Sequence, residues 1–254
     1  FYAKVTIDNL RRNAGGNELP NLVIEDWPDL GYRGLMLDIS RNFTTKDNIL
    51  KLIDLLAHYK VSVFHLHFGD DEGWRLDIEK FPELTAYGAH HALPEKNAEG
   101  EYIETEYLMP SYNGSVDPAD RRSSTNDNLT KADYIEILKY AGEPRIKVIP
   151  EFDTPGHSRA AIKAMEAYAR RTGDTGYLLS EPEDESKYMS VQHYRDNALN
   201  VALPSTYRFI EVVFDELIAY HKEAGVPLPA IHIGGDEVPG GAWIDSPSCQ
   251  KVMK

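Results

Sequence analysis

Short apolar segments alternate with amphipathic stretches along this chain of 254 residues. Each apolar segment ends in polar or glycine residues, a pattern typical of parallel strands covered by helices. Four such strands are predicted, at residues 33–39, 61–68, 147–152 and 230–233. The stretches between them have apolar residues at helical spacing, which predicts helices at residues 45–59, 131–141, 158–170 and 206–223. Strands that alternate with helices indicate an α/β fold with a parallel sheet.

Two long excursions interrupt this alternation, at residues 80–128 and 172–200. The first contains two turn signals, at residues 97–100 and 113–115. The second is polar and rich in Asp, Glu and Ser. Because both follow strands or their helices, where long loops usually shape a binding site, we expect them to border a ligand.

The net negative charge of the chain argues against nucleic acids and anionic membranes as binding partners. Acidic residues outnumber basic ones, 41 to 27, which gives a formal net charge of −14. Such a domain repels nucleic acid phosphates and anionic membrane surfaces, but it presents no barrier to a neutral sugar. No apolar run approaches the roughly 18–20 residues that span a bilayer, so membrane insertion is not expected. Cys249 is the only cysteine, which excludes an internal disulfide and a cysteine-based metal cluster.

Carboxylates follow each predicted strand directly. The four clusters occupy residues 38–41, 69–72, 153–157 and 234–237. In α/β folds the carboxyl ends of the parallel strands form the ligand-binding face. The sequence therefore predicts one acidic site assembled from four strand ends.

Asp236 and Glu237 follow the fourth predicted strand and the glycines Gly234 and Gly235. Side chains adjacent on a strand point to opposite faces, so this pair cannot easily flank one sugar carbon as the carboxylates of an ordinary retaining glycosidase do. The pair is better suited to one carboxyl group acting on a leaving oxygen while the other holds a group beside it. Mutual repulsion and partial burial are expected to raise the pKa of at least one of them, as a general acid requires. The alternative is a solvated pair in a loop.

His65 and His67 alternate with Phe64, Leu66 and Phe68 in the second predicted strand. If the phenylalanine and leucine face meets the helices, both histidines point into the interior of a barrel. An H-x-H pair on a barrel strand is also a metal-binding pattern of amidohydrolases, and hydrogen-bonded core histidines are an equal alternative. A metal site would need further ligands at the later strand ends, which are mainly acidic here.

Asp70, Asp71 and His157 form a candidate relay. A carboxylate that hydrogen-bonds a histidine fixes its tautomer, and that histidine can tune a catalytic acid. The alternative for His157 is an ordinary residue at a helix N-terminus. Arg41 lies just past the first strand, where its guanidinium suits either sugar hydroxyls or a structural carboxylate. Trp74 follows the second cluster, where its ring could either stack on a sugar or pack in the hydrophobic core.

The strand-end motifs resemble those of the family 20 glycoside hydrolases. The matching runs are YRGLMLDISRNF at residues 32–43, HLHFGDDEGWR at 65–75, PEFDTPGH at 150–157 and HIGGDEV at 232–238. These runs are long and jointly specific, and the resemblance covers nearly the whole chain. Residues 190–200, together with Leu93-Pro94 and Met109-Pro110, look most like the bacterial chitobiase-like branch. Gly69 stands where the family more usually has a small polar residue, which is a minor departure.

The resemblance implies a (β/α)8 TIM barrel and a β-N-acetylhexosaminidase that uses the 2-acetamido group of its substrate as the nucleophile. Glu237 would then be the general acid/base, and Asp236 would orient the acetamido group and stabilise its developing charge. Asp70 and His157 match the pair that supports the acid, and Asp153 matches a supporting aspartate.

Substrate binding is assigned by the same resemblance to Arg41, with Asp71 and, by stacking, Trp74 as further candidates. No metal and no cofactor is implied. The expected partner is a glycan or chitooligosaccharide that ends in N-acetylhexosamine (GlcNAc or GalNAc). The alternatives are a metal-dependent amidohydrolase built on His65 and His67, and a non-catalytic sugar-binding relative. Members of the branch are typically exported, so a periplasmic, cell-surface or secreted location in a bacterium is expected.

The chain accounts for about the first four strand-helix units of a barrel that needs about 250 residues by itself. Residues 1–22 are expected to be the end of a smaller N-terminal α/β domain and its linker, and residues 23–254 the N-terminal half of the catalytic barrel. By the resemblance, further pocket residues, a tyrosine, an aspartate and tryptophans, belong to the second half. A half barrel would expose two strand edges and an apolar inner face, so the remaining half is expected to be required.

Overall fold

The computed structural model describes residues 2–15, 18–90 and 127–254. The turns predicted at residues 97–100 and 113–115 lie outside these ranges, as do Leu93-Pro94 and Met109-Pro110. Among the helices within these ranges, none is both long enough and apolar enough to cross a membrane.

Three parallel strands and seven helices make up the described part of the chain. The strands are β1 (Gly34–Asp38), β2 (Val63–Gly69) and β3 (Lys147–Phe152). The helices are α1 (Tyr2–Ala14), α2 (Lys46–His58), α3 (Glu83–Ala86), α4 (Lys131–Gly142), α5 (Arg159–Thr172), α6 (Pro204–Ala224) and α7 (Pro247–Val252). The four predicted helices are confirmed as α2, α4, α5 and α6, and their ends lie within two residues of the prediction.

The sheet follows chain order, β1-β2-β3, and both strand pairs are parallel. Gly34 pairs with Val63, and Val63 pairs with Lys147, so the carboxyl ends of all three strands reach the same edge of the sheet. Strands in simple chain order with helices between them are how a (β/α)8 barrel is built. The sheet therefore has the order and orientation that the sequence predicts.

The fourth predicted strand, residues 230–233, is wrong as a full strand. This segment lies beside β3, where a fourth barrel strand belongs, but it forms only one parallel bridge, between Glu151 and His232. Its extended conformation ends at Gly234 and Gly235, whose backbone φ angles are +65° and +99°. Backbone hydrogen bonds of 2.9 Å join this segment to the β3 side, from the N–H of His232 to Pro150 and from the N–H of Thr154 to Ile233, but strand conformation does not continue through the glycines.

One face of β2 is packed beneath the helices. Phe64, Leu66 and Phe68 are fully buried, and they belong to one hydrophobic cluster with side chains of α2, α4, α5 and α6. The condition on which both histidines are expected to point into the interior, that this face meets the helices, is therefore met. Burying a side chain of this size contributes roughly 1.5–3 kcal/mol, and a shift of one residue would expose all three. The packing therefore fixes which residues of β2 face the other way.

The opposite, inner face of the sheet is mainly polar. The parallel register places Asp38, His67 and Glu151 in one row on this face, and it places Met36 beside His65 in the next. The apolar inner face expected for half a barrel is therefore confirmed only in part: Met36 and Ile149 flank His65, whereas the row of Asp38, His67 and Glu151 is ionisable. The face is polar because its histidines and carboxylates contact one another, as described below.

Apolar side chains are exposed along the β1 edge of the sheet. Within the described ranges β1 has β2 as its only strand neighbour. Leu35 and Met36 are 39% and 53% exposed, and Trp27 and Leu30 in the preceding segment are 69% and 67% exposed. Apolar surface beside an unpaired strand edge is typical of a sheet that pairs with a further strand.

Candidate active site

The segments that follow the strands meet at one edge of the sheet. Arg41, after β1, has its Nη2 atom 2.8 Å from Oδ2 of Asp70, after β2. His157, after β3, has its Nδ1 atom 3.3 Å from Oδ1 of the same aspartate. The other ring nitrogen, Nε2, lies 3.3 Å from Oε2 of Glu237, which follows the fourth segment. The structure thus brings members of all four predicted clusters together.

His157 connects buried carboxylates to the exposed Glu237. The histidine is 2% exposed, and its Nδ1 atom lies 3.2 Å from Oδ2 of Asp71 in addition to its contact with Asp70. Hydrogen bonds to Asp70 and Asp71 raise the pKa of His157 to about 11. The ring is therefore an imidazolium at neutral pH. Its contact with Glu237 has the distance of an ion pair but not the alignment of a hydrogen bond.

Left-handed backbone conformations shape the turn that carries the acidic pair. His157 and Glu237 have φ angles of +49° and +46°, which residues other than glycine seldom adopt. Such conformations cost on the order of 1 kcal/mol or more and are found mostly at functional sites. The positive φ angles of Gly234, Gly235 and Glu237 make the region around Asp236 a turn, and His157 has the same conformation in the segment after β3. The prediction that Asp236 and Glu237 lie on a strand with opposed side chains is therefore wrong.

The two acids themselves are exposed. Asp236 is exposed, and the side chain of Glu237 is 43% exposed. The partial burial expected from the sequence is thus not provided by the described residues. Oε2 of Glu237 accepts a hydrogen bond of 2.7 Å from the side-chain amide of Gln192. No role for Gln192 is predicted from the sequence, because it lies in a polar loop 45 residues before its partner.

Asp71 is not placed to bind substrate. It is fully buried, and its oxygens accept hydrogen bonds from the backbone N–H of Arg159 (3.1 Å) and the side chain of Asn197 (2.9 Å), besides the contact with His157. The substrate-binding role predicted for Asp71 is wrong, because protein groups already occupy its oxygens. The carboxylate instead ties the start of α5 and the loop at residues 172–200 to the site.

Trp74 is equally unavailable to a sugar. It is 2% exposed, and its ring lies 5.3 Å from Phe68 and 5.4 Å from Phe152, measured between ring centroids. Its Nε1–H donates a hydrogen bond of 2.8 Å to the carbonyl of Leu76. The predicted stacking role is wrong because this segment turns the indole into the hydrophobic core.

Arg41 is held by three carboxylates. Its guanidinium lies 2.8 Å from both Asp38 and Asp70 and 3.1 Å from Glu72. Burial works against the charge, but Asp70 and Asp38 outweigh it and raise the pKa of Arg41 well above its usual value. Burial also raises the pKa of Glu72 to about 7, and Asp70 adds to this effect. The arginine side chain remains 37% exposed, which leaves part of it open to a ligand.

Asp153 lies beneath the turn that carries Asp236. A Cβ atom at Gly234 would come within 1.0 Å of Oδ1 of Asp153, so this contact requires glycine. Burial raises the pKa of Asp153 to about 7; His67 opposes the rise, whereas Asp70 and Asp236 add to it. Asp153 is therefore largely protonated below neutral pH.

The raised pKa of Asp153 predicts a pH-dependent loss of stability. Between its ordinary value of 3.8 and about 7, the folded protein keeps a proton that the unfolded chain has released. Stability therefore falls as the pH rises through this window. The variant Asp153→Asn does not titrate, so its melting temperature relative to the parent should increase from the acid to the neutral end of the window.

Thermal melts at closely spaced pH values measure this difference. Asp245→Asn, at an exposed position, is the matched control and should show a constant difference from the parent. Parallel curves of melting temperature against pH for Asp153→Asn and the parent would contradict the raised pKa of Asp153.

Glu151 gathers the histidines of the inner face. Nε2 of His65 and Nδ1 of His67 both lie 2.7 Å from its Oε2 atom, and Nδ1 of His232 contacts its Oε1 atom. Ligands of a shared metal ion each lie about 2 Å from the ion, which holds them about 3 Å or more apart. His65, Glu151 and His232 are close enough to share a metal ion as well as to pair directly, so these distances do not decide between the glycosidase and the metal-dependent amidohydrolase alternatives.

Comparison with known proteins identifies the fold that carries this site. The family model for glycosyl hydrolase family 20, catalytic domain, matches residues 30–254. The chain belongs to glycosyl hydrolase family 20. The family predicted from the motifs is confirmed, and the parallel strands with their helices are the first part of a TIM barrel.

Relatives within family 20 include β-hexosaminidases and a chitobiase. The β-hexosaminidase of Vibrio vulnificus is 42% identical over 260 residues, which cover 100% of this chain and 29% of the relative. The N,N'-diacetylchitobiase of Vibrio harveyi is 42% identical over 93% of this chain and 27% of its own length. The crystal structure of an exo β-N-acetylglucosaminidase from Vibrio harveyi in complex with N-acetylglucosamine matches with a TM-score of 0.68 at 38% identity, covering 90% of this chain and 31% of that one. The chain thus spans less than a third of these family 20 relatives.

Proposed function

We propose that the protein containing this chain is a retaining exo-β-N-acetylhexosaminidase. It removes terminal β-linked GlcNAc or GalNAc by substrate-assisted catalysis. The observation that carries this proposal is the set of contacts made by His157. Its Nδ1 atom contacts Asp70 and Asp71, and its Nε2 atom lies 3.3 Å from Oε2 of Glu237. The names of the β-hexosaminidase and chitobiase relatives support the same substrate class.

In the first step, the carboxyl group of Glu237 gives its proton to the glycosidic oxygen as the bond from that oxygen to C1 breaks. The carbonyl oxygen of the 2-acetamido group attacks C1 from the opposite face, and the leaving sugar departs as an alcohol. Asp236 accepts a hydrogen bond from the acetamido N–H and stabilises the positive charge of the cyclic oxazolinium. An adjacent pair of carboxyl groups suffices because the substrate supplies the nucleophile.

In the second step, Glu237 takes a proton from water, whose oxygen attacks C1 and breaks the bond to the acetamido oxygen. Two inversions at C1 give net retention. The imidazolium of His157 stabilises the negative charge that Glu237 carries between the two steps. Asp153 supports the turn below Asp236, and Arg41 binds hydroxyl groups of the terminal sugar through its exposed part.

The rest of the barrel is required to complete this pocket. Asp236 and Glu237 are exposed, whereas the substrate-assisted step needs the acetamido group to be enclosed and oriented. Leu35 and Met36 expose apolar surface at the β1 edge, which further strands of a closed barrel would cover. We therefore place the substrate between this half of the barrel and the remaining half.

An aryl glycoside pair tests the proposed function in the complete protein. The 4-nitrophenyl β-N-acetylglucosaminide should be hydrolysed with retention, and the matching β-glucoside, which has a 2-hydroxyl group, should react at least about 100-fold more slowly because it lacks the nucleophile. A thiazoline that mimics the cyclic intermediate should inhibit, and a metal chelator should leave the rate unchanged. Comparable rates on the two glycosides would overturn substrate assistance. Loss of activity on chelation would revive the amidohydrolase alternative.

A further inference from the structure

Both ring nitrogens of His67 contact carboxyl groups, which favours a doubly protonated ring. This histidine is 3% exposed, and its Nδ1 atom lies 2.7 Å from Oε2 of Glu151 while its Nε2 atom lies 2.9 Å from Oδ2 of Asp70. A neutral imidazole has one N–H and can donate to only one of two carboxylates. Burial opposes a second proton, but Asp70 and Glu151 outweigh burial and raise the pKa of His67 to about 10. His67 is therefore a buried imidazolium.

Both neighbours of this imidazolium are held as carboxylates. Burial favours the neutral form of Asp70, but bonds with His157 and His67 and the charge of Arg41 outweigh it and hold the pKa of Asp70 well below its usual range. Burial likewise favours neutral Glu151, and His65 and His67 outweigh it and lower the pKa of Glu151 well below its usual range. The alternation of negative and positive groups runs without a break from Glu151 through His67 and Asp70 to His157.

We propose that Glu151 and His67 are positioning residues for the general acid: they keep Asp70 ionised and fixed in orientation, so that Asp70 can hold His157 against Glu237. This inference rests on the proposed function. The contacts that lead to Glu237 through His157 and Asp70 thereby continue into the interior of the barrel, to His67 on β2 and Glu151 on β3. Neither residue touches the exposed acid, so any effect on catalysis must pass through Asp70.

Charged groups surround His67 on every strand of the sheet. Asp38 on β1 adds its negative charge to that of the two directly bonded carboxylates, and Asp153 after β3 does the same once it ionises at a pH of about 7. Arg41 lies on the other side of Asp70, and His65 and His232 lie on the other side of Glu151. Glu151 is therefore one of two carboxylates bonded to the ring, and its loss should make the proton on His67 easier to remove.

The test is the variant Glu151→Gln in the complete enzyme, assayed with the 4-nitrophenyl β-N-acetylglucosaminide. Carboxylate partners of histidines in metal sites are worth roughly 10–100-fold in activity, and we expect kcat to fall by about tenfold with KM within about twofold. The loss should grow as the pH rises from about 5 to about 9, because the variant loses the His67 proton at a lower pH than the parent. A constant loss at every pH would reduce Glu151 to a structural residue and overturn the inference.

Glu183→Gln is the matched control. It makes the same chemical change at an exposed position in the loop at residues 172–200, so this variant should keep the pH profile of the parent. Neutron diffraction from crystals of the parent at a pH of about 8 gives an answer that does not depend on how the variants fold. Deuterium on both ring nitrogens of His67 is the expected result, and a bare nitrogen would overturn the inference. If the parent does not hydrolyse the glycoside, the proposed function itself is wrong, which is a different result from an active parent with a constant loss.

Discussion

Replacing Glu237 by glutamine is expected to slow the hydrolysis of N,N'-diacetylchitobiose by about 10²–10⁴-fold, the usual contribution of a general acid. The amide has nearly the same shape as the carboxyl group but cannot give a proton to the departing sugar oxygen. The loss should be much smaller for the 4-nitrophenyl glycoside, because nitrophenolate leaves without protonation. Steady-state kcat/KM on the two substrates measures this dependence on the leaving group.

A matched control separates the loss of the acid from the loss of one negative charge. Glu183→Gln makes the same chemical change at an exposed position in the loop at residues 172–200, and it should leave both rates within about twofold of the parent. Equal losses of Glu237→Gln on the two substrates would show that Glu237 acts in some way other than protonating the leaving group.

Replacing Asp236 by asparagine is expected to lower kcat by about 10²–10³-fold, the scale on which one preorganised electrostatic partner of a transition state acts. Asparagine cannot offset the positive charge that spreads onto the acetamido nitrogen as the ring closes. Since ring closure accompanies the departure of either leaving group, the loss should be similar for the disaccharide and the 4-nitrophenyl glycoside. This pattern is the opposite of the one expected for Glu237→Gln.

Inhibitor binding provides a second measurement for Asp236. A thiazoline resembles the cyclised intermediate, so its inhibition constant should rise by about the same factor as kcat falls. Asp245→Asn, which removes one exposed carboxylate nearby in the sequence, should change neither quantity. Unchanged thiazoline binding to Asp236→Asn would place this aspartate outside the acetamido pocket.

Hydrophobic periodicity is sufficient to predict most of the scaffold. The stripe from Ile49 to Ala57 is repeated in each predicted helix, and such a stripe must be buried against something. The apolar residues around Leu66 and Val148 are buried on the face of the parallel sheet that the helices cover. These signals are local in the sequence, and the structure agrees with them within a few residues.

The environment of individual site residues could not be predicted in the same way. Trp74 and Asp71 lie in the same buried motif as Asp70, yet Trp74 packs in the hydrophobic core whereas the two aspartates both contact His157. Which way each side chain points depends on the turn after β2 and on groups far along the chain, such as Asn197. The contact between Gln192 and Glu237 also depends on the tertiary fold. It could not be predicted, because no sequence spacing links a loop residue to an acid 45 positions later. The left-handed conformation of Glu237 likewise follows from tertiary packing and not from residue type.

The alternating line from Glu151 through His67 and Asp70 to His157 has a consequence for biosynthesis. Its carboxylates and cations, with Arg41, all come from residues 41–157, and each already has an oppositely charged partner in this part of the chain. A ribosome adds roughly 5–20 residues per second, so these charges can find one another seconds before later parts of the protein are made. The most expensive groups to desolvate would then be neutralised early, and the steps that follow would consist mainly of covering apolar edges.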